Sequence, residues 1–512
     1  MDFIFILIFL EEVFFGLNNH YLSTTLILFL LVNFYFNKNK NLSIKIPNIL
    51  GFSFLIFIVS FFTSFFYSVD KKTSLISLID YICLFLISLY AFNFKQEIIK
   101  ILKKNITLII LFSILFFLIN LFYPNKFFPP TSLIWTYGHS QLANFFIIPY
   151  LLNNNLIFLF LIILSLSRSA LFSIIFVYFF KLIKGYRKNK ISSKDIYFLI
   201  LLTGCLLIIS FFYKKDNFLG NRLNYFIQVV NFLFSNPLKA VGLGNVGEVS
   251  LQMAQSRSEL SISSHNFFLD LVSEIGVFIL IPFLLIYHKI FKEFFLSEKD
   301  KKLFYLFFGL TGISLFDFSF KYTSFKLIYF MLLGLLIKDK AEFRLNPKYV
   351  VYPIYSVFTL IILSDIFVNL GYFKLAFIMN PFNNLVLEKY LNNEKNKSLI
   401  NNKLEKYWYF LKNDDEEELN YLIYQKKLNR DEKVMEHFYN LIYKYPAYYL
   451  DYLPGYIKLL EEKDSKIDYG SIEKLLNNIS KKYFLKNKNS EVFKKLRFYC
   501  NRFELSCYNL GI

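Results

Sequence analysis

Apolar runs separated by short charged loops follow one another through the first three quarters of this 512-residue chain, and that alternation constrains the fold more than any single motif. The runs lie near residues 3–17, 21–36, 48–67, 73–93, 105–123, 140–152, 155–166, 169–183, 196–213, 265–287, 303–319, 322–337 and 350–372. A helix needs about 20 residues to cross the hydrocarbon of a bilayer, so several runs are short. Their succession still predicts an all-α, polytopic membrane helix bundle of about 12–13 spans over residues 1–372. Composition agrees: the chain is 55% hydrophobic and 19% charged, with a mean hydropathy of +0.43, well above what a soluble chain of this size carries. The 66 Phe and 37 Tyr accompany abundant Ile, Asn and Lys, the set that AT-rich codons specify, and carry no ligand signal of their own. No basic region precedes the first run, which has Asp2, Glu11 and Glu12 beside it, so that run reads as retained rather than as a cleaved signal peptide.

Loop charge sets the expected orientation. Lys38, Lys40 and Lys45 follow the second run, and Lys95, Lys100, Lys103 and Lys104 the fourth. Lys181 to Lys194 carry six cations after the eighth run, and further basic loops, Lys289–Lys302 with five and Lys338–Lys348 with four, follow the tenth and twelfth. Basic short loops stay in the cytoplasm, so the net charge of +19 is topological and gives no reason to expect nucleic acid as a partner. Keeping every basic loop inside requires two short spans within 140–166, with a break at Asn153-Asn154-Asn155. Arg168, the long loop 214–264, His265 and residues 373–512 are then extracytoplasmic.

Three polar motifs fall together on that outer face: Ser167-Arg168-Ser169, Gly220-Asn221-Arg222 and Ser264-His265-Asn266. Between the last two, Asn221 to Phe234 carries Leu223, Phe226, Val229, Val230 and Phe234 at helical spacing, as expected of a helix lying on a membrane or lidding a cavity. Pro237 is expected to stop that helix, and Gly242 and Gly244 to make a tight turn. Cys83 and Cys205 lie in apolar runs as small buried hydrophobes. Cys500 and Cys507 would stand about 10 Å apart on one continuous helix and can pair only if the helix breaks.

From about residue 373 the composition turns charged and Tyr-rich. Glu432 to Glu461 predicts a helix, a break at Tyr445-Pro446 and a second helix with Tyr449, Leu453, Ile457 and Leu460. This pattern resembles tetratricopeptide-type helical hairpins, which bind partners or act as spacers.

The order of these motifs, Ser167-Arg168-Ser169-Ala170, then Gly220-Asn221-Arg222, then Pro237 through Gly244, then His265-Asn266 and Gly276, resembles the O-antigen ligase and polymerase superfamily of bacterial membrane glycosyltransferases. Gly138-His139-Ser140-Gln141-Leu142-Ala143 is similar to the segment that precedes that superfamily's Arg helix. The ligase pattern places Gly, Thr or Tyr three residues after the last glycine, where this chain has Ile279.

The resemblance implies an undecaprenyl-diphosphate-linked glycan as donor, a glycan, lipid or protein hydroxyl as acceptor, and no metal or other cofactor. Arg168 and Arg222 would grip the departing diphosphate, His265 would be the catalytic base and Asn266 would orient it. The expected setting is the bacterial cytoplasmic (inner) membrane, with membrane lipids as further partners. Transfer of oligosaccharide to protein hydroxyls is one alternative, and a polysaccharide or lipid transporter or flippase is another, for which binding residues would sit near the bilayer midplane. Lys214, Lys215, Lys239 and Arg257 read as solvated or headgroup charges. Asp317 and Lys321 are spaced as a local pair, Asp270 as a weaker base candidate, and Asp80 and Asp365 as intramembrane acids without an assigned role.

Overall fold

The computed structural model describes residues 20–36, 43–104, 139–256, 261–383 and 431–502, with Leu7, apart from gaps at 154, 166, 213–219, 236–238, 262, 298–299, 342, 464–468 and 484–489. Among these residues the chain is all-α except for one two-stranded ribbon. The expected runs at 3–17 and 105–123 lie largely outside the described residues.

Helix α1 (His20–Phe36) precedes strand β1 (Ile44–Ile46) and helix α2 (Asn48–Phe65). Helix α3 (Lys71–Asn93) starts where the Asp70 carboxylate accepts from the Thr73 amide at 3.0 Å, one of the donors a helix start leaves unpaired. Helix α4 (His139–Asn153) ends at the asparagine run, and α5 (Leu156–Leu164) restarts with Asn155 accepting from the Ile157 amide, so the chain turns where the sequence predicted two short helices. Ser167 caps α6 (Arg168–Arg187), whose last turn holds Lys184 and Arg187 against the negative end of the helix dipole. Helix α7 (Ser193–Phe212) packs beside it.

The long loop contains the helix expected over Asn221 to Phe234 and a second, shorter helix that the sequence did not predict. Helices α8 (Gly220–Ser235) and α9 (Val246–Met253) pack through Val229, Phe232, Val249 and Met253. Pro237 lies outside the described residues, beyond the end of α8 at Ser235. The run at 265–287, expected as one span, is two helices, α10 (Phe267–Ile275) and α11 (Leu280–Leu296). Gly276 separates them at a φ of 96°, a conformation that regular helix cannot include and that side chains disfavour. Helices α12 (Lys301–Phe316) and α13 (Thr323–Leu336), strand β2 (Phe343–Leu345), and helices α14 (Lys348–Asn369) and α15 (Phe373–Met379) follow. Helices α12 and α13 are the buried centre of the bundle, α12 against α4 and α6, and α13 against α3.

Among the described residues four helices, α2, α3, α6 and α14, are long and apolar enough to cross a membrane, and shorter apolar stretches lie within α1, α4 and α13. On α2, Phe52, Leu55, Val59 and Phe62 form an exposed apolar face at helical spacing, the surface a lipid-facing helix presents.

The basic loops gather at one end. β1 pairs antiparallel with β2, Lys45 opposite Arg344. Asn93 bonds the backbone of Lys45, and Lys95 reaches Asp300 at 2.6 Å. Lys184 donates to the carbonyls of Phe294 and Ser297, and Lys289 meets Asp339 at 3.3 Å. These ties join the segments after α1, α3, α6, α11 and α13. The opposite end carries the turn before α3, the start of α6, helices α8–α10 and the turn after α12, joined by bonds such as Val69 N–H to Val241 C=O at 3.3 Å.

The carboxy-terminal unit consists of α16 (Asp431–Lys444), α17 (Pro446–Tyr449), α18 (Leu453–Lys463), α19 (Tyr469–Lys482) and α20 (Glu491–Arg502). The chain breaks at Tyr445-Pro446 as the sequence predicts. Its core of Leu450, Leu453, Ile472, Leu475, Leu476, Phe493 and Leu496 also takes in Ala254 from the segment after α9. Cys500 is disulfide-bonded in a helix that ends at Arg502, whereas Cys83 and Cys205 are free; Cys507 lies outside the described residues.

Candidate functional site

The three polar motifs of the sequence line one cavity. Its volume is about 570 Å³, within the usual range for a small-molecule site, and its polar lining is Arg168, Ser169, Arg222, Ser264, His265 and Asn266. Phe172, Leu206, Leu207, Leu223, Phe226, Leu315 and Phe316 form the rest of the wall. Leu207, Leu223, Phe226 and Phe316 are exposed, so the wall shared by α7 and α8 opens sideways onto the apolar flank of the bundle.

Each polar group is held by a local device. Arg168 is the first residue of α6, fixed there by the Ser167 cap. From that helix start a buried chain of hydrogen bonds runs across the bundle. Ser169 Oγ donates to Asn144 Oδ1 at 3.3 Å, Asn144 Nδ2 to Ser319 Oγ at 2.8 Å, and Ser319 Oγ to Asp317 Oδ1 at 2.6 Å. Asp317 is fully buried, and its other oxygen lies 3.7 Å from Arg222 Nη2. Arg222 Nη1 also donates to the Phe316 carbonyl at 3.1 Å. In an apolar interior such a chain fixes both guanidinium-bearing elements relative to each other. Arg168 and Arg222 present like charges to one space, which an anion would relieve.

His265 sits on a turn with a φ of 59°, an uncommon conformation for a side-chain-bearing residue. Asp270 builds that turn. It accepts from Ser263 Oγ at 2.6 Å and from the Ser264 amide and hydroxyl at 2.7 and 2.6 Å, while Ser263 Oγ accepts from the His265 amide at 3.0 Å. The imidazole stacks on Tyr225, ring centroids 5.6 Å apart. Burial and the Arg222 charge push its pKa down to about 4, against the pull of Asp317 and Asp270. The ring is therefore neutral and able to accept a proton at neutral pH. Asp270→Ala should lower stability by about 3 kcal/mol or more, because three buried donors lose their acceptor. A thermal unfolding midpoint equal to wild type would contradict this account of the turn.

The side chain of Asn266 bonds backbone groups and not the imidazole. Its Oδ1 accepts from the Phe268 and Leu269 amides at 3.0 and 3.1 Å as the cap of α10, and its Nδ2 donates to the Leu315 carbonyl at 3.1 Å. It positions His265 through the backbone. Asp317 and Lys321 are not the expected local pair. The helix has ended by Phe316, and a 3-10 turn at Phe318–Lys321 carries Lys321 to Asp270 and Glu274 at 3.6 and 3.4 Å, leaving Asp317 to Arg222.

Elsewhere, Asp80 accepts from the Thr24 hydroxyl at 2.6 Å, and Asp365 pairs with Lys72 at 2.8 Å and accepts from Asn383. Both acids tie helices together. His139 opens α4, but its side chain lies outside the described residues. Lys214, Lys215 and Arg257 are also outside them, and Lys239 is exposed. Gly242 is a packing turn: its φ is 92°, and a Cβ there would collide with Ser68. Ile279 is buried in a separate apolar crevice with Leu50, Phe57 and Phe283 and does not line the cavity.

Sequence reasoning missed Tyr225 and Asn144, and gave Asp317 to Lys321 instead of Arg222. Tyr225 stands three residues after Arg222, on the same helix face, and Asn144 is an amide in an otherwise apolar run; both were signals available in the sequence. Comparison with protein-family models, with curated proteins and with solved structures finds no match.

Proposed function

We propose that the protein is a bacterial inner-membrane glycosyltransferase that transfers or polymerises an undecaprenyl-diphosphate-linked saccharide at the extracytoplasmic face, within a polytopic bundle of about 12–13 spans. The observation that carries this reading is the single cavity shared by Arg168, Arg222 and His265. Two guanidinium groups suit the oxygens of a diphosphate, and the apolar side opening suits a lipid tail. The gathering of basic loops at the end opposite the cavity supports an outward-facing site. A disulfide in the carboxy-terminal unit supports the same sidedness, since disulfides persist outside the cytosol.

In the proposed reaction an acceptor hydroxyl attacks the anomeric carbon as the bond from that carbon to the diphosphate oxygen breaks. His265 takes the hydroxyl proton, and undecaprenyl diphosphate leaves with the bonding pair, its charge met by Arg168 and Arg222. Attack opposite the leaving group inverts the anomeric centre. A transporter would place its binding groups near the midplane, whereas this cavity takes its polar lining from helix starts at one end of the bundle.

Arg168→Lys tests the reading because charge is retained while two-pronged geometry is lost. The expected result is a fall in kcat/KM of roughly tenfold to a hundredfold. Unchanged transfer would rule out diphosphate gripping by Arg168.

A further inference from the structure

The carboxy-terminal unit is fastened to the segment behind the cavity by a seam of buried polar groups. Glu248 of α9 is only 6% exposed, accepts from Tyr445 Oη at 2.8 Å and lies 3.4 Å from Lys444 Nζ. Lys482, itself 6% exposed, spans the seam, donating to the Gln252 carbonyl at 2.8 Å and to the carbonyls of Tyr443 and Lys444 at 3.2 and 2.5 Å. Past α9 the contact continues: Tyr483 Oη donates to the Ala254 carbonyl at 3.2 Å, the Val492 amide to the Gln255 carbonyl at 3.0 Å, and Ala254 enters the unit's core.

Helix α9 passes this contact on. Val249 and Met253 pack against Val229 and Phe232 of α8, and Ser250 Oγ donates to Gln228 Oε1 at 2.8 Å. Within the two turns before Val229 on the same helix stand Arg222, Leu223 and Phe226, which line the cavity, and Tyr225, which stacks on His265. The described contacts thus form an unbroken packed path from Lys482 and Tyr445 to the guanidinium of Arg222. Helix α8 meets the bundle at the Phe316 carbonyl, Asp317 and His265 and touches α19 of the carboxy-terminal unit directly, so contacts from both sides set its place.

We propose that the carboxy-terminal unit is a working part of the site, with Glu248, Tyr445 and Lys482 acting as positioning residues that hold α8, and with it Arg222 and Tyr225, against the cavity. The inference rests on the proposed function only for the identity of the ligand. Undocking the unit releases α8, widens the cavity roof and weakens the grip on the diphosphate, whereas the bundle core stays folded.

The test uses the full-length protein in lipid nanodiscs and breaks the seam from each side. Glu248→Arg places a third cation beside Lys444 and Lys482, and Lys482→Met removes the donors to three carbonyls. Two quantities are read: hydrogen-exchange protection of α8, with α3 and α13 as internal controls, and the affinity for undecaprenyl diphosphate. In both variants α8 exchange should quicken and affinity fall by at least about tenfold, with α3 and α13 unchanged. Wild-type protection of α8 in either variant overturns the proposal. So does faster α8 exchange accompanied by wild-type affinity. If undecaprenyl diphosphate binds not even the wild type while α8 responds to both variants, the proposed ligand is wrong and the mechanical coupling stands.

Discussion

His265→Ala is expected to reduce transfer by roughly a hundredfold to ten-thousandfold, the usual contribution of a positioned general base, while the protein still inserts and folds. The turn that carries His265 is built by Asp270, Ser263 and Ser264, none of which needs the imidazole. A companion result follows from the pKa of about 4. Because kcat/KM reports the free enzyme, it should hold steady as pH falls through 6.5 and decline only on approach to pH 4. Stability has the same sign: below about pH 6.5 the unfolded chain binds a proton at this histidine that the folded chain refuses, so stability drops as pH falls from there towards 4. Full transfer by His265→Ala, or an acid limb centred near pH 6.5, would remove the imidazole from its proposed role.

The second large effect separates charge pairing from ligand binding at Arg222. Arg222→Met should abolish most transfer and also destabilise the protein by about 1–3 kcal/mol: Asp317, fully buried, loses the guanidinium beside it, and the exposure of Arg222 and the 3.7 Å separation keep the loss below that of a fully buried pair. Adding Asp317→Asn removes the orphaned charge and keeps an acceptor for the Ser319 amide and hydroxyl. The double variant should recover most of the stability, read as the thermal unfolding midpoint, and none of the transfer. If transfer returns with stability, Arg222 is a structural partner of Asp317 and not a donor-binding group.

Sequence was a good guide where the physics is local. Asn153 ends one helix and Asn155 caps the next, and Ser167 starts a helix, because side-chain oxygens there accept orphan amides. Loop charge places Arg168, Arg222 and His265 on one face, and all three line one cavity. What failed depended on where helices end. The spacing of Asp317 and Lys321 favours a pair only if a helix continues through both, and α12 stops at Phe316. Apolar periodicity across 265–287 gave no sign that Gly276 would take a positive φ and divide the run. The seam between α9 and the carboxy-terminal unit joins residues roughly 200 apart, such as Glu248 and Tyr445, and no periodicity encodes a contact of that range.

The measurement that bears most directly on the proposed transferase is the lipid-linked saccharide profile of a strain lacking this gene, complemented with either wild type or His265→Ala. The prediction is that the deletion and the His265→Ala strain both accumulate undecaprenyl-diphosphate-linked saccharide and lose the corresponding surface glycan, and that wild type restores both. Unchanged intermediates and unchanged surface glycan in the deletion strain would contradict it.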